Sequence, residues 1–271
     1  MRQRMTELLW RFGGAATGRT APGAGRTFVL APFGGGSAYA LAEWLPALLH
    51  QGETALALQY PGRGPRAGEP HARSLEELAR QAAGEVAAHT EGPLVLAGHS
   101  LGAVLSYEIA VRLESLGREV ELLAVSAARP PDMQRLDPAA VLGMSREDWL
   151  EELATGDGAG IEGATHADIV DLLVPVLRAD YLLLARYRCD TRRTVSCPLL
   201  AMGGTADPWV THDCLDAWGR WTTGKFTTRS LPGGHFYYRE RTPEFCRLVR
   251  DALPPAPVPL PVPAQRSGKQ E

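Results

Sequence analysis

The chain has 271 residues, 45% of them hydrophobic and 22% charged, with a formal net charge of −3. That length and balance fit one large α/β domain, or one domain with an inserted subdomain, with enough chain to bury a sizeable core. The small net charge speaks against a nucleic-acid partner, and no stretch approaches the roughly 18 consecutive apolar residues of a membrane span.

Residues 1–25 are polar and rich in Gly and Ala, with no apolar signal core, and read as a loose N-terminal leader. A cytoplasmic protein is expected, and with no heptad pattern a monomer. Arg26–Ala31 is a short apolar strand, followed by a Gly-rich turn and a helix around Ala40–Leu49. Thr54–Tyr60 is a second strand, and Ser74–His89 a helix that Ser74 can cap, with Glu77 completing a capping box. Leu94–Ala97 and Val120–Ser126 read as strands on either side of a helix at Leu101–Leu116. Further on come a strand at Pro198–Met202, a helix near His212–Trp218, a strand at Phe226–Leu231 and a helix near Thr242–Leu253. This alternation predicts a mostly parallel sheet with helices on both faces. Residues 254–271 read as a Pro-rich disordered tail.

One stretch breaks the rhythm. Residues 132–187 show helical spacing and no strand: Ser145 can cap a helix to Leu153, and Ile169, Leu172, Leu173, Val176, Leu177 and Leu184 line one side of another, with Pro175 as a kink. An all-helical insert between two strands is expected to act as a lid. Cys189, Cys197, Cys214 and Cys246 lack Cys-x-x-Cys spacing, so neither a disulfide framework nor a metal site is expected.

The most informative stretch is Gly98-His99-Ser100-Leu101-Gly102, set between an apolar strand and a helix. A Gly-x-Ser-x-Gly in that context is the nucleophile elbow of an α/β-hydrolase, which lifts the serine hydroxyl above the sheet. A serine hydroxyl needs a base, and the base needs a carboxylate to fix its tautomer. In such folds the chain order is Ser, acid, His. His235, in the Gly233-Gly234-His235-Phe236 loop before the last helix, is the favoured base. The histidines at 50, 71, 89 and 166 lie in segments that read as helical or exposed; His99 reads as a packing residue and His212 as the start of a helix. Asp207, on the loop after a late strand, is the favoured acid, ahead of Asp132, Asp180 and Asp190. The amide of Leu101 and an amide from Phe33 or Gly34, in the loop Pro32-Phe33-Gly34-Gly35-Gly36, are the expected oxyanion donors.

These segments, with Tyr60-Pro61-Gly62-Arg63-Gly64 and Leu177-Arg178-Ala179-Asp180-Tyr181, together resemble the type II (editing) thioesterases of polyketide and nonribosomal peptide biosynthesis over roughly residues 26–253. The family commonly has His-Ala where this chain has Phe33-Gly34. The resemblance implies a stand-alone serine hydrolase that removes acyl groups from the phosphopantetheine arms of acyl or peptidyl carrier proteins. It implies no cofactor of the enzyme's own. Trp149, Leu153, Leu173 and Tyr181 are expected to line the acyl pocket, and Arg63, Arg66 or the Arg188, Arg192 and Arg193 cluster to meet an acidic carrier. Another serine esterase, a product-releasing thioesterase and a non-catalytic carrier-binding module are the competing readings.

Overall fold

The computed structural model describes residues 2–13, 25–155 and 167–255. Five strands form the centre: β3 (Thr27–Ala31), β4 (Thr54–Leu58), β5 (Leu94–His99), β6 (Val120–Ser126) and β7 (Leu199–Gly204), with every residue buried. Strands covered on both faces are largely apolar, as these are. Period-two alternation then sorts their side chains. Leu94 and Leu96 of β5 enter one apolar layer, Val95 and Ala97 the other.

The first layer is covered by α2 (Leu75–His89) and α3 (Leu101–Ser115), with Trp218 and Trp221. The second is covered by the short α1 (Leu45–Leu48) and by α8 (Thr242–Asp251), around Trp44, Tyr238 and Phe245. Ser74 caps α2 by accepting the Glu77 amide at 3.2 Å. The capping box is only half formed, because the Glu77 carboxylate turns to Arg80 and Gln81 instead.

The eight-stranded sheet runs β1-β2-β4-β3-β5-β6-β7-β8, where β1 is Arg2–Arg4, β2 is Leu9–Gly13 and β8 is Phe226–Leu231. From β4 to β8 the pairing is parallel. Because β4 lies on one side of β3 and β5 on the other, the chain leaves β3 and β5 in opposite directions. A crevice opens beyond their carboxyl ends, where such folds place their sites. This is the α/β-hydrolase architecture.

The N-terminal segment departs from expectation. β1 (Arg2–Arg4) and β2 (Leu9–Gly13) are not a loose leader; β2 pairs antiparallel with β4, with Leu9 opposite Leu58, and β1 pairs antiparallel with β2. Leu9 and Phe12 are buried on opposite faces, and Arg11 between them hid a strand. Residues 14–24 of that segment, and the Pro-rich tail from residue 256 on, lie outside the described residues.

Between β6 and β7 the described chain is helical: α4 (Pro138–Gly143), α5 (Arg146–Thr155) and α6 (Ala167–Arg186). Ser145 caps α5 reciprocally. Its Oγ accepts the Asp148 amide at 3.1 Å, and its own amide donates to Asp148 Oδ2 at 2.7 Å. The insert has a small core of its own, in which Val141, Trp149, Leu177 and Ala185 are buried. The remaining helix, α7 (His212–Asp216), follows β7.

Candidate active site

Ser100 sits between β5 and α3 at φ 55° and ψ −120°. A non-glycine residue in that region is strained and persists only where its surroundings fix it. Here the Ser100 amide donates to the carbonyl of Ser126, at the end of β6, at 2.8 Å. The flanking glycines are required by contact. A Cβ on Gly98 would lie 2.2 Å from the Gly102 carbonyl oxygen, and one on Gly102 would lie 2.0 Å from that of Ala31. The elbow therefore rests directly on the backbone at the end of β3, where the glycine-rich loop begins.

A similar backbone contact brings the acid to the histidine. A Cβ on Gly204 would lie 2.1 Å from the Gly234 carbonyl oxygen, so the end of β7 touches the loop that carries His235. The Ala206 amide donates to the Gly233 carbonyl at 2.9 Å. Asp207 Oδ2 lies 2.8 Å from His235 Nδ1, and its Oδ1 accepts the amides of Trp209 at 2.9 Å and Val210 at 3.2 Å. With both oxygens occupied and the side chain fully buried, the carboxylate cannot swing away. It fixes Nδ1 as the protonated nitrogen and leaves Nε2 to act as a base. The edge of Trp209 packs against the imidazole at 4.8 Å between ring centres.

The other acid candidates have different partners. Asp132 pairs with Arg220 at 2.8 Å, Asp190 with Arg192 at 2.9 Å, and Asp180 with Arg63. His99 is buried beside the site, 5.0 Å from the His235 ring. Burial, then the neighbouring His235 and Arg239, pushes its pKa well below the usual value and keeps it neutral. Its Nδ1 lies 2.9 Å from Ser126 Oγ, which lies 2.8 Å from the Tyr237 hydroxyl.

Ser100 and His235 share a cavity of about 180 Å³ with Leu101, Phe33 and Gly34. Two amides of the glycine-rich loop are already committed: Gly35 donates to Asp180 Oδ2 at 2.8 Å and Gly36 to the Phe33 carbonyl at 2.9 Å. Pro32 has no N–H, so the Phe33 and Gly34 amides are the loop's remaining donors beside the serine. Phe33 itself packs edge-on against Phe236 at 4.8 Å, with the Arg239 guanidinium over both rings.

The pocket wall differs from expectation in two places. Leu153 and Tyr181 line the cavity, where Tyr181 donates to Glu152 Oε1 at 2.7 Å. Trp149 does not; it is fully buried behind the wall, edge-on to Tyr181 at 5.2 Å. Leu173 packs on the insert's own core rather than on the cavity. Periodicity identifies the apolar face of a helix but not which neighbour that face meets. Sequence reasoning also missed Ala127, a second strained residue at φ 46° on the cavity wall, and Arg129 and Gln134 beside it. Arg63 cannot meet a carrier, because it is buried in its pair with Asp180.

An α/β-hydrolase frame with a serine at the elbow and a buried His–Asp pair at the same cavity defines a class of hydrolases, and the comparisons narrow it. The thioesterase domain family matches residues 26–253. Thioesterase PikA5 of Streptomyces venezuelae is 34% identical over 239 residues, covering 86% of this chain and 83% of that protein. The type II thioesterase BorB, from the borrelidin biosynthetic cluster, has a TM-score of 0.82 at 33% identity, covering 93% of this chain and 100% of BorB. Phenyloxazoline synthase MbtB of Mycobacterium tuberculosis is 30% identical over 233 residues, but the match spans only 16% of that synthase. The chain belongs to the thioesterase domain family and is a hydrolase that acts on thioesters.

Proposed function

We propose that the protein is a type II thioesterase that hydrolyses acyl groups from the phosphopantetheine arms of carrier proteins, with Ser100, His235 and Asp207 as its triad. The observation that carries this reading is the buried Asp207–His235 pair on the cavity that also holds the strained Ser100. Ser100 Oγ attacks the thioester carbonyl carbon while His235 Nε2 takes its proton, and the imidazolium is stabilised by Asp207. The resulting oxyanion faces the amides of Leu101 and of Phe33 or Gly34. The C–S bond breaks, and the departing thiolate takes the proton from His235. Water, deprotonated by His235, then attacks the acyl-serine, and the serine oxygen leaves with that proton. No step calls for a group beyond these residues and water.

Carrier-bound acyl groups suit a cavity whose wall is largely apolar. The match to a small part of MbtB keeps a product-releasing role as the second reading. Hydrolysis of one short acyl group from phosphopantetheinyl carrier protein, and of the same group as a simple oxygen ester, tests the thioesterase reading against that of a general esterase. Fast release from the carrier, lost in Ser100→Ala, is expected. Cleavage of the ester alone would make the protein a general esterase.

A further inference from the structure

The oxyanion loop is held by the helical insert as well as by the sheet. Asp180, on α6, is 1% exposed and Arg63 is 6% exposed. Arg63 grips the carboxylate with both ends of its fork, Nη1 to Oδ2 at 2.5 Å and Nη2 to Oδ1 at 2.6 Å. The same Oδ2 accepts the Gly35 amide at 2.8 Å. Gly35 stands at φ +82°, and a Cβ there would lie 2.9 Å from Leu177 Cδ2. The helix is thus seated on the loop through Leu177 and Asp180. The segment after β4 holds the rest: Tyr60 donates to the Pro32 carbonyl at 2.8 Å, and Gln59 Oε1 accepts the Ala38 amide at 3.0 Å.

A run of three glycines has more backbone freedom than any other tripeptide, whereas oxyanion stabilisation requires amides fixed before the reaction begins. The Tyr60–Pro32 bond holds the peptide group that carries the Phe33 N–H, and the Gly35–Asp180 bond is the insert's own anchor, on the residue next to Gly34. We infer that Asp180 is a positioning residue for the oxyanion hole: the insert's carboxylate, neutralised by Arg63, holds the Phe33–Gly34 amides toward the developing charge. The insert then contributes to transition-state stabilisation as well as to the pocket wall. The inference rests on Ser100 being the nucleophile.

Removing Asp180 alone would strand a buried guanidinium, so the test uses two uncharged pairs. Asp180→Asn with Arg63→Met keeps an acceptor for Gly35, whereas Asp180→Leu with Arg63→Met removes it. Steady-state hydrolysis of a short acyl N-acetylcysteamine thioester gives kcat and KM. Loss of one oxyanion donor typically lowers kcat about 10²–10³-fold; a loosened donor is expected to lower it about 10–100-fold in the Leu/Met pair, with KM within about threefold. The Asn/Met pair should recover most of that loss. Inhibition by a trifluoromethyl ketone analogue, whose serine adduct carries the oxyanion, should weaken in parallel with kcat/KM. Equal kcat in the two pairs, or a loss confined to KM, would overturn the inference. Should a pair fail to fold, Asp180→Glu keeps the charge beside Arg63 and moves the acceptor by one methylene; a tenfold fall in kcat supports the inference and an unchanged kcat overturns it. Labelling of Ser100 by a phosphonofluoridate in the parent protein keeps the two failures apart: without it, the triad reading itself has failed.

Discussion

The strand ends that form the floor of the cavity hold their side chains through backbone contacts, whereas the helical insert that forms its roof relies on side chains. On the floor, Gly98, Gly102 and Gly204 let backbone touch backbone, and Ser100, Asp207 and His235 inherit their positions from the sheet register. In the roof, Trp149 packs edge-on against Tyr181, Tyr181 bonds Glu152, and Asp180 pairs with Arg63. Two carboxylates summarise the difference. Asp207 is fixed by amides two and three residues along its own loop, and Asp180 by an arginine 117 residues away. The first kind of site tolerates almost no change at its glycines. The second can be repacked as long as its polar partners stay matched.

If the floor is the chemical machine, its side chains should give the largest effects. Asp207→Asn leaves a hydrogen-bonding group beside His235 but favours the wrong tautomer, and kcat should fall on the order of 10⁴-fold with little change in KM. A fall of less than tenfold would mean that another carboxylate does the work. Gly102→Ala should prevent folding or lower the melting temperature steeply, since its methyl meets the Ala31 carbonyl oxygen rather than a mobile side chain. Normal yield and melting temperature for that variant would remove the basis of the floor's rigidity. In the roof, Trp149→Ala should cost about 3–5 kcal/mol in urea unfolding, as large core truncations do, while Ser100 labelling by a phosphonofluoridate persists within about tenfold. Labelling lost as completely as on removal of His235 would erase the contrast.

The smallest effect concerns pH. His99 is held neutral by burial, whereas in the unfolded chain it titrates near 6.5. Above that value both states are neutral and His99 contributes nothing. As pH falls below it, the unfolded chain takes up a proton that the folded state refuses, so stability drops by up to about 1.4 kcal/mol per pH unit. His99→Asn should flatten that slope in urea titrations between pH 7 and pH 5, and an unchanged slope would assign it to other groups.

Legibility in the sequence follows the same division. Largely apolar runs and glycine punctuation marked the central strands to within a few residues, because a strand buried on both faces admits little else. The elbow and the loop of Asp207 each sit just past such a strand and the loop of His235 just past the edge strand β8, which made Ser100, Asp207 and His235 readable. β2 was missed because Arg11 interrupts an already short run. In the insert, the helices could be read but their neighbours could not. Leu153 and Tyr181 reach the cavity, while Trp149 and Leu173 face the insert's own core. Arg63, expected at a docking surface, is the buried partner of Asp180. A pair so far apart in the chain leaves no trace in local spacing.

The central claim is that Ser100 carries the acyl group between thioester and water. Acid-quenched mass spectrometry during the first turnover of a short acyl thioester tests it most directly. The account predicts a transient gain of one acyl mass on the peptide containing Ser100, with none, and no thiol release, in Ser100→Ala. Thiol release that persists in Ser100→Ala, or an adduct on any other residue, would contradict it.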